Sequence, residues 1–168
     1  MAGESKTNLR EQIEYTLRGR VCLMGVGNAD YGDDALGVHL AEALRQAGVP
    51  DVIVAGNSPE RYLGSVANIK PDHLVFLDAV EFGAAPGSVV FLDSRQIAAR
   101  YPQISTHKIS LGTLATFAES NGVTKTWLLG VQPESLKEGQ GLTPSVRKTL
   151  DALLRLLLDA KPQEMSLC

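Results

Sequence analysis

The sequence predicts an α/β fold: a three-layer sandwich with helices on both faces of an about five-stranded, mostly parallel sheet that has one antiparallel strand. Three observations carry that prediction. Short apolar runs of strand length alternate along the chain with segments of helical period. Only about eight residues, 80 to 87, separate the third and fourth apolar runs. A parallel crossover needs a dozen or more, so the fourth strand is expected to run antiparallel. Finally, 168 residues with 44% hydrophobic and 21% charged side chains suit one domain with its own core and exclude bulk disorder.

Along the chain, Leu9, Ile13 and Leu17 recur four apart, which predicts an N-terminal helix packed on the main body. Val21 to Val26 reads as a buried strand, and Gly27 to Gly32 as a loop. A helix follows, with Leu36, Leu40, Ala43, Leu44 and Ala47 on one face and Asp33 as its expected N-cap. Val52-Ile53-Val54 marks the second strand, and Pro59 starts a short helix through about Ile69. Leu74 to Leu77 forms the third strand and ends at Asp78; Ser88 to Leu92 forms the fourth. Strand four then ends at the opposite edge, and residues 93 to 106 are expected to return toward the edge where the parallel strands end. A helix over 110–120, a fifth strand from Thr126 to Val131 and a closing helix from Thr143 to about Ala160 complete the series, the last with a Val146, Leu150, Leu153, Leu154, Leu157 stripe. Residues 1–168 are thus expected to form a single domain: an N-terminal helical extension (1–20), the α/β core (21–160) and a flexible tail (161–168).

Composition narrows the chemistry. A net charge of −3 with no basic block argues against a nucleic-acid groove. The first ten residues are polar and no apolar run reaches 18 residues, so neither a leader nor a spanning segment is expected, and a reducing cytoplasm is the default. Two cysteines, Cys22 and Cys168, are too few for a disulfide framework or a cysteine zinc site. Cys22 reads as an inert core thiol and Cys168 as part of a frayed end. With three histidines, any metal site must be poor in histidine and rich in carboxylate.

Ligands of open α/β sheets bind beyond the carboxyl ends of the strands. Asp34, in the loop after the first strand, and Asp78, after the third, fall there. An antiparallel fourth strand brings the chain back so that His107, in Ser105-Thr106-His107-Lys108, can converge on the same edge. Asp34 is surplus to capping if Asp33 is the cap, and Gly37 inside the helix suggests close approach to the sheet. His39 and His73 read as surface histidines. Gly25-x-Gly27 is not a dinucleotide fingerprint, because Asp30 stands where the third glycine belongs. There is no Walker A lysine, no Gly-x-Ser-x-Gly elbow and no His-Glu-x-x-His.

The run Gly25-Val26-Gly27-Asn28-Ala29-Asp30-Tyr31-Gly32-Asp33-Asp34-Ala35-Leu36-Gly37-Val38 resembles the opening motif of the [NiFe]-hydrogenase maturation endopeptidases. Gly56-Asn57-Ser58-Pro59-Glu60, Leu77 to Gly83, Ser105-Thr106-His107 and Leu129 to Glu134 follow in the family's order, over roughly residues 20–158. The Gln-Pro ending and the Ser-Thr-His loop resemble the branch acting on hydrogenase-3-type large subunits. The family's acidic residue before the Gly-Gly/Thr turn is here Ala55, and Glu60 is a candidate for its role.

The resemblance implies a peptidase that removes the C-terminal extension of a hydrogenase large-subunit precursor once nickel is in place. It places Asp34, Asp78 and His107 at the family's metal-contacting positions and makes them the expected catalytic and metal-binding residues. The expected cofactor is nickel, carried by the substrate precursor, with no organic cofactor. The expected partner is that precursor, without nucleic acid or membrane, and the chain itself is expected to be a monomer. Two carboxylates and an imidazole suit a first-row divalent ion with open positions. Two other readings compete. One is a nickel-binding chaperone that does not cut. The other is a receiver-type phosphoacceptor domain, which requires a lysine after strand five where this chain has none before Lys137.

Overall fold

The computed structural model describes residues 8–100, 110–123 and 125–160. Five strands, β1 (Val21–Val26), β2 (Val52–Gly56), β3 (His73–Ala79), β4 (Val89–Asp93) and β5 (Lys125–Val131), form one sheet in the order β2-β1-β3-β5-β4. The pairs β1–β2, β1–β3 and β3–β5 are parallel. β4 lies antiparallel to β5, with Val89 opposite Val131 and Asp93 opposite Trp127, as its short connection from β3 requires.

Among the described residues, six α-helices cover the sheet: α1 (Leu9–Thr16), α2 (Leu36–Gln46), α3 (Leu63–Ile69), α4 (Ser94–Arg100), α5 (Leu111–Ser120) and α6 (Pro144–Asp159). Strand alternation sorts the core into two layers. Leu23, Val75, Leu77, Leu129 and Val131 meet Ile13 of α1, Leu40 and Leu44 of α2, and Val146, Leu150, Leu153 and Leu157 of α6. Cys22, Met24, Leu74, Phe76 and Leu128 meet Val66 of α3, Ile97 of α4 and Leu114, Ala115 and Ala118 of α5. Strands buried on both faces must be apolar at every position, which is why β1 and β3 read as unbroken apolar runs. Leu17, just past α1, and Ile13 are both buried, so the N-terminal helix packs on the main body as its stripe predicts.

The helix α4 differs from expectation, since residues 93 to 106 read as a plain return segment. Its start is a reciprocal cap: Gln96 N–H donates to Asp93 Oδ1 at 2.9 Å, and Asp93 N–H donates to Gln96 Oε1 at 2.9 Å. Ile97 is fully buried against the sheet, and Gly112 of α5 lets Ala98 come close. Among the described residues no helix is long and apolar enough to cross a membrane.

The connections place a crevice. From β1 the chain moves through α2 to β2 on one face, then returns through α3 on the other face to β3, on the far side of β1. The carboxyl ends of β1 and β3 are therefore where successive connections part, the switch point at which open α/β sheets bind ligands.

Candidate functional site

Asp34 and Asp78 both stand at this switch point. Asp78 follows Leu77 near the end of β3, is only 3% exposed, and pairs in register with Gly130 of β5. Asp34 is half-buried in a short 3-10 turn, Gly32–Ala35, that leads from β1 into α2 and packs against β3. Its Oδ2 accepts the Asn28 N–H at 2.9 Å.

Two glycines press that turn onto the sheet. A Cβ at Gly37 would run into the carbonyl oxygens of Leu77 and Val26, so only a bare backbone lets α2 rest on the ends of β3 and β1. Gly27 has φ +134°, and a Cβ there would strike the Asp34 carbonyl. The sequence expectation for Gly37 is met. The close approach brings the turn that carries Asp34, three residues earlier, onto the end of β3, where Asp78 follows Leu77. His107, the third expected site residue, lies outside the described residues, as do the expected tail 161–168 and Cys168.

Asp33 is not the N-cap expected of it. The cap position of α2 is Ala35, with no side-chain bond, and the Asp33 carboxylate, 0% exposed, turns instead to the loop between β5 and α6. Its Oδ2 accepts the N–H groups of Glu134 (2.9 Å) and Ser135 (3.1 Å), while Oδ1 accepts the Thr143 N–H (2.7 Å). The Thr143 hydroxyl donates to the same carboxylate, 2.8 Å from Oδ2. Burial pushes the Asp33 carboxyl up, but these hydrogen bonds from Thr143, Ser135 and Glu134 outweigh it and hold the group below the ordinary carboxylate range. Asp33 N–H donates in return to the Ser135 carbonyl at 2.9 Å, and Gly139 N–H donates to the Asp30 carbonyl at 2.8 Å. Gly32, at φ +53°, leaves no room for a Cβ, which would sit 2.6 Å from the Ser135 oxygen. Thus the loop that carries Asp34 is stitched to the loop after β5.

Gln132 secures the other side. This buried side chain accepts the N–H groups of Phe82 (2.8 Å) and Ala84 (3.3 Å), and its backbone bonds Ser88 and Gly87. The connection leaving Asp78 is thereby fixed. For Gln132 the sequence signal is a polar side chain set directly after a buried strand end; Asp33 carries no such local signal.

The remaining candidates fall away from the crevice. Cys22 is fully buried, and burial, helped by Asp51, pushes its thiol up to about 12, consistent with an inert core cysteine. His39 is exposed beside Glu42, at 3.6 Å. His73 corrects the surface reading: it is half-buried, and its Nδ1 accepts the Trp127 indole N–H at 3.2 Å. Burial lowers its pKa and Lys125 lowers it further against the opposing pull of Asp72, which suits the neutral ring the indole bond requires.

Comparison with known proteins identifies the family. The family model described as HycI, hydrogenase maturation protease, matches residues 36–160. The hydrogenase 2 maturation protease of Escherichia coli K12 is 35% identical over 149 residues, covering 84% of this chain and 90% of the relative. The hydrogenase 3 maturation protease of the same organism is 28% identical over 137 residues, covering 80% and 86%. The crystal structure of a [NiFe] hydrogenase maturation protease HycI from Thermococcus kodakarensis KOD1 superposes with a TM-score of 0.81 at 30% identity, over 89% of this chain and 98% of that one. With a family model matched over most of its length, a relative at 35% identity and a shared fold, the chain belongs to the hydrogenase maturation protease family.

Proposed function

We propose that this peptidase removes the C-terminal extension from the nickel-loaded large-subunit precursor of a [NiFe]-hydrogenase, acting as a monomer in the cytoplasm without an organic cofactor. The observation that supports the reading is that Asp34 and Asp78 each lie at the carboxyl edge of the sheet near the switch point, in a chain of a protease family. With His107 they supply two carboxylates and an imidazole, a donor set suited to a first-row divalent ion. The nickel is part of the substrate, so the site recognises a precursor that already holds its metal. Bound there, the ion would polarise a carbonyl and acidify a water. The protein's own part is to fix the two carboxylates on rigid strand and turn ends and to hold the loops around them through Asp33 and Gln132. Cys22 offers no thiolate, and water is the proposed nucleophile. Membership of a protease family favours neither a non-cleaving nickel chaperone nor a receiver-type phosphoacceptor.

Incubation with purified nickel-loaded precursor, and no other protein, is expected to convert the large subunit to a shorter band. Asp34→Asn, Asp78→Asn and His107→Ala are each expected to abolish the conversion while the circular dichroism spectrum stays that of the wild type. An unchanged band with wild-type protein overturns the reading, and cleavage by all three variants overturns the site assignment.

A further inference from the structure

We propose that the groove between α3 and α5 docks a lysine or arginine side chain of the precursor protein, an anchoring point separate from the Asp34–Asp78 crevice. The identity of the partner rests on the peptidase reading above; the chemistry of the groove does not. The cavity holds about 380 Å³ and is lined by Glu60, Leu63 and Val66 on one side and Phe117, Asn121 and Val123 on the other. That volume lies at the low end for sites that enclose a small ligand, so it suits one or two side chains rather than an organic cofactor.

Three features specify a cation on an aliphatic stem. Glu60 is the charged residue of the lining, and its Oε2 is buried without a hydrogen bond among the described residues. A donor brought by a ligand would satisfy that oxygen, whereas an anionic ligand would be repelled and a purely apolar one would leave it unpaired. The Asn121 amide nitrogen is already engaged with the Phe117 carbonyl at 2.8 Å, leaving its oxygen as a second acceptor. Phe117 is 53% exposed and offers a ring face for a cation, while Leu63 and Val66 can cover the methylenes behind it.

Position links the groove to the known reaction. Glu60 stands in the 3-10 turn Pro59–Tyr62, directly after β2, at the same carboxyl edge of the sheet as Asp34 and Asp78. The groove leads from that edge along the α3–α5 face. A precursor held at the crevice can therefore lay a neighbouring basic side chain into it.

Two measurements test this on the full chain. The first is NMR of the ¹⁵N-labelled protein titrated with N-acetyl-arginine amide, with N-acetyl-norleucine amide as the uncharged control. Shifts of the Phe117, Ala118, Asn121 and Val123 amides with the arginine compound, lost in Glu60→Gln, are expected. Equal shifts with norleucine, no shifts in wild type, or the same shifts on concentrating the protein alone (a second copy as occupant) overturn the proposal. The second is processing of the nickel-loaded precursor, where Glu60→Gln and Phe117→Ala are expected to raise KM about fivefold or more with kcat within about twofold. Phe117 is exposed, so its variant keeps the fold even if Glu60→Gln does not. Should wild type process the precursor and both variants match its KM, the groove proposal falls and the peptidase reading stands. Should wild type fail to process, that reading falls and the NMR titration alone decides the groove.

Discussion

The carboxylate of Asp33, itself fully buried, takes hydrogen bonds from the backbone of Glu134, Ser135 and Thr143 and from the Thr143 hydroxyl. Asp33→Asn turns an amide N–H toward some of those donors, and is expected to cost about 2–4 kcal/mol in urea unfolding at neutral pH. The pH dependence has a defined sign. The folded pKa is lowered, so below neutrality the unfolded chain takes up this proton first, and the contribution is fully present above the unfolded value of about 3.9. It is lost as pH falls through the lower folded value, so the gap between wild type and Asp33→Asn should close in acid; a gap that stays constant from neutrality to about pH 3 would refute this account. Cys22 gives a second residue-scale expectation. With its thiol pushed up to about 12, it should resist iodoacetamide at about pH 8 in the native protein and react once urea unfolds it. The sequence pattern places Asp34 and Asp78 at the carboxyl edge of the sheet and Cys22 in the core, where the structure has them, but makes Asp33 a helix cap, which it is not. The acidic pair is a local pattern, whereas the partners of Asp33 lie about a hundred residues downstream, at 134–143. Local pattern cannot show that a distant loop arrives to use a carboxylate.

At the scale of elements, the start of α2 decides how closely the turn that carries Asp34 rests on the end of β3, where Asp78 stands. Alanine at Gly37 gains about 1 kcal/mol of helix propensity, yet its Cβ would enter the carbonyls of Leu77 and Val26, backbone atoms that cannot swing aside. Gly37→Ala is therefore expected to lower stability by about 1–3 kcal/mol and, by lifting the turn that carries Asp34 from the end of β3, to lose processing out of proportion to that loss. Gly64 in α3 is the control: nothing lies within 4 Å of its Cβ position, so Gly64→Ala should raise stability by up to about 1 kcal/mol. Thermal melts of the two variants check both signs, and the precursor assay on Gly37→Ala checks the loss of processing. Most elements were legible because apolar runs and helical stripes are local, and the antiparallel β4 followed from the length of one connection. The helix α4 escaped because its periodic stretch is only seven residues. Its Asp93–Gln96 cap was the better signal.

For the whole molecule, the two core layers share all their strands, so neither can come apart without exposing the other side of the same sheet. Phe76 is fully buried under α3, α4 and α5, and Leu40 of α2 lies buried on the opposite face, in the layer that α2 shares with α6. Truncating either to alanine should cost about 2–5 kcal/mol by leaving a cavity. Trp127, the one tryptophan of the chain, sits on β5 between β3 and β4, stacked on Phe91 at 4.8 Å and bonded to His73. Its fluorescence therefore follows the sheet, while far-ultraviolet circular dichroism follows helices on both faces. In urea the two signals are expected to move together in a single transition for wild type, and for Phe76→Ala and Leu40→Ala to shift together to lower denaturant with an unchanged slope. If Phe76→Ala instead lost helix signal while Trp127 kept its native emission, the α3–α5 layer would be a separate unit. The groove between α3 and α5 would then open independently of the crevice. A single transition ties the groove, the crevice and the loops stitched by Asp33 and Gln132 to one cooperative structure, in which a substitution in either layer weakens both.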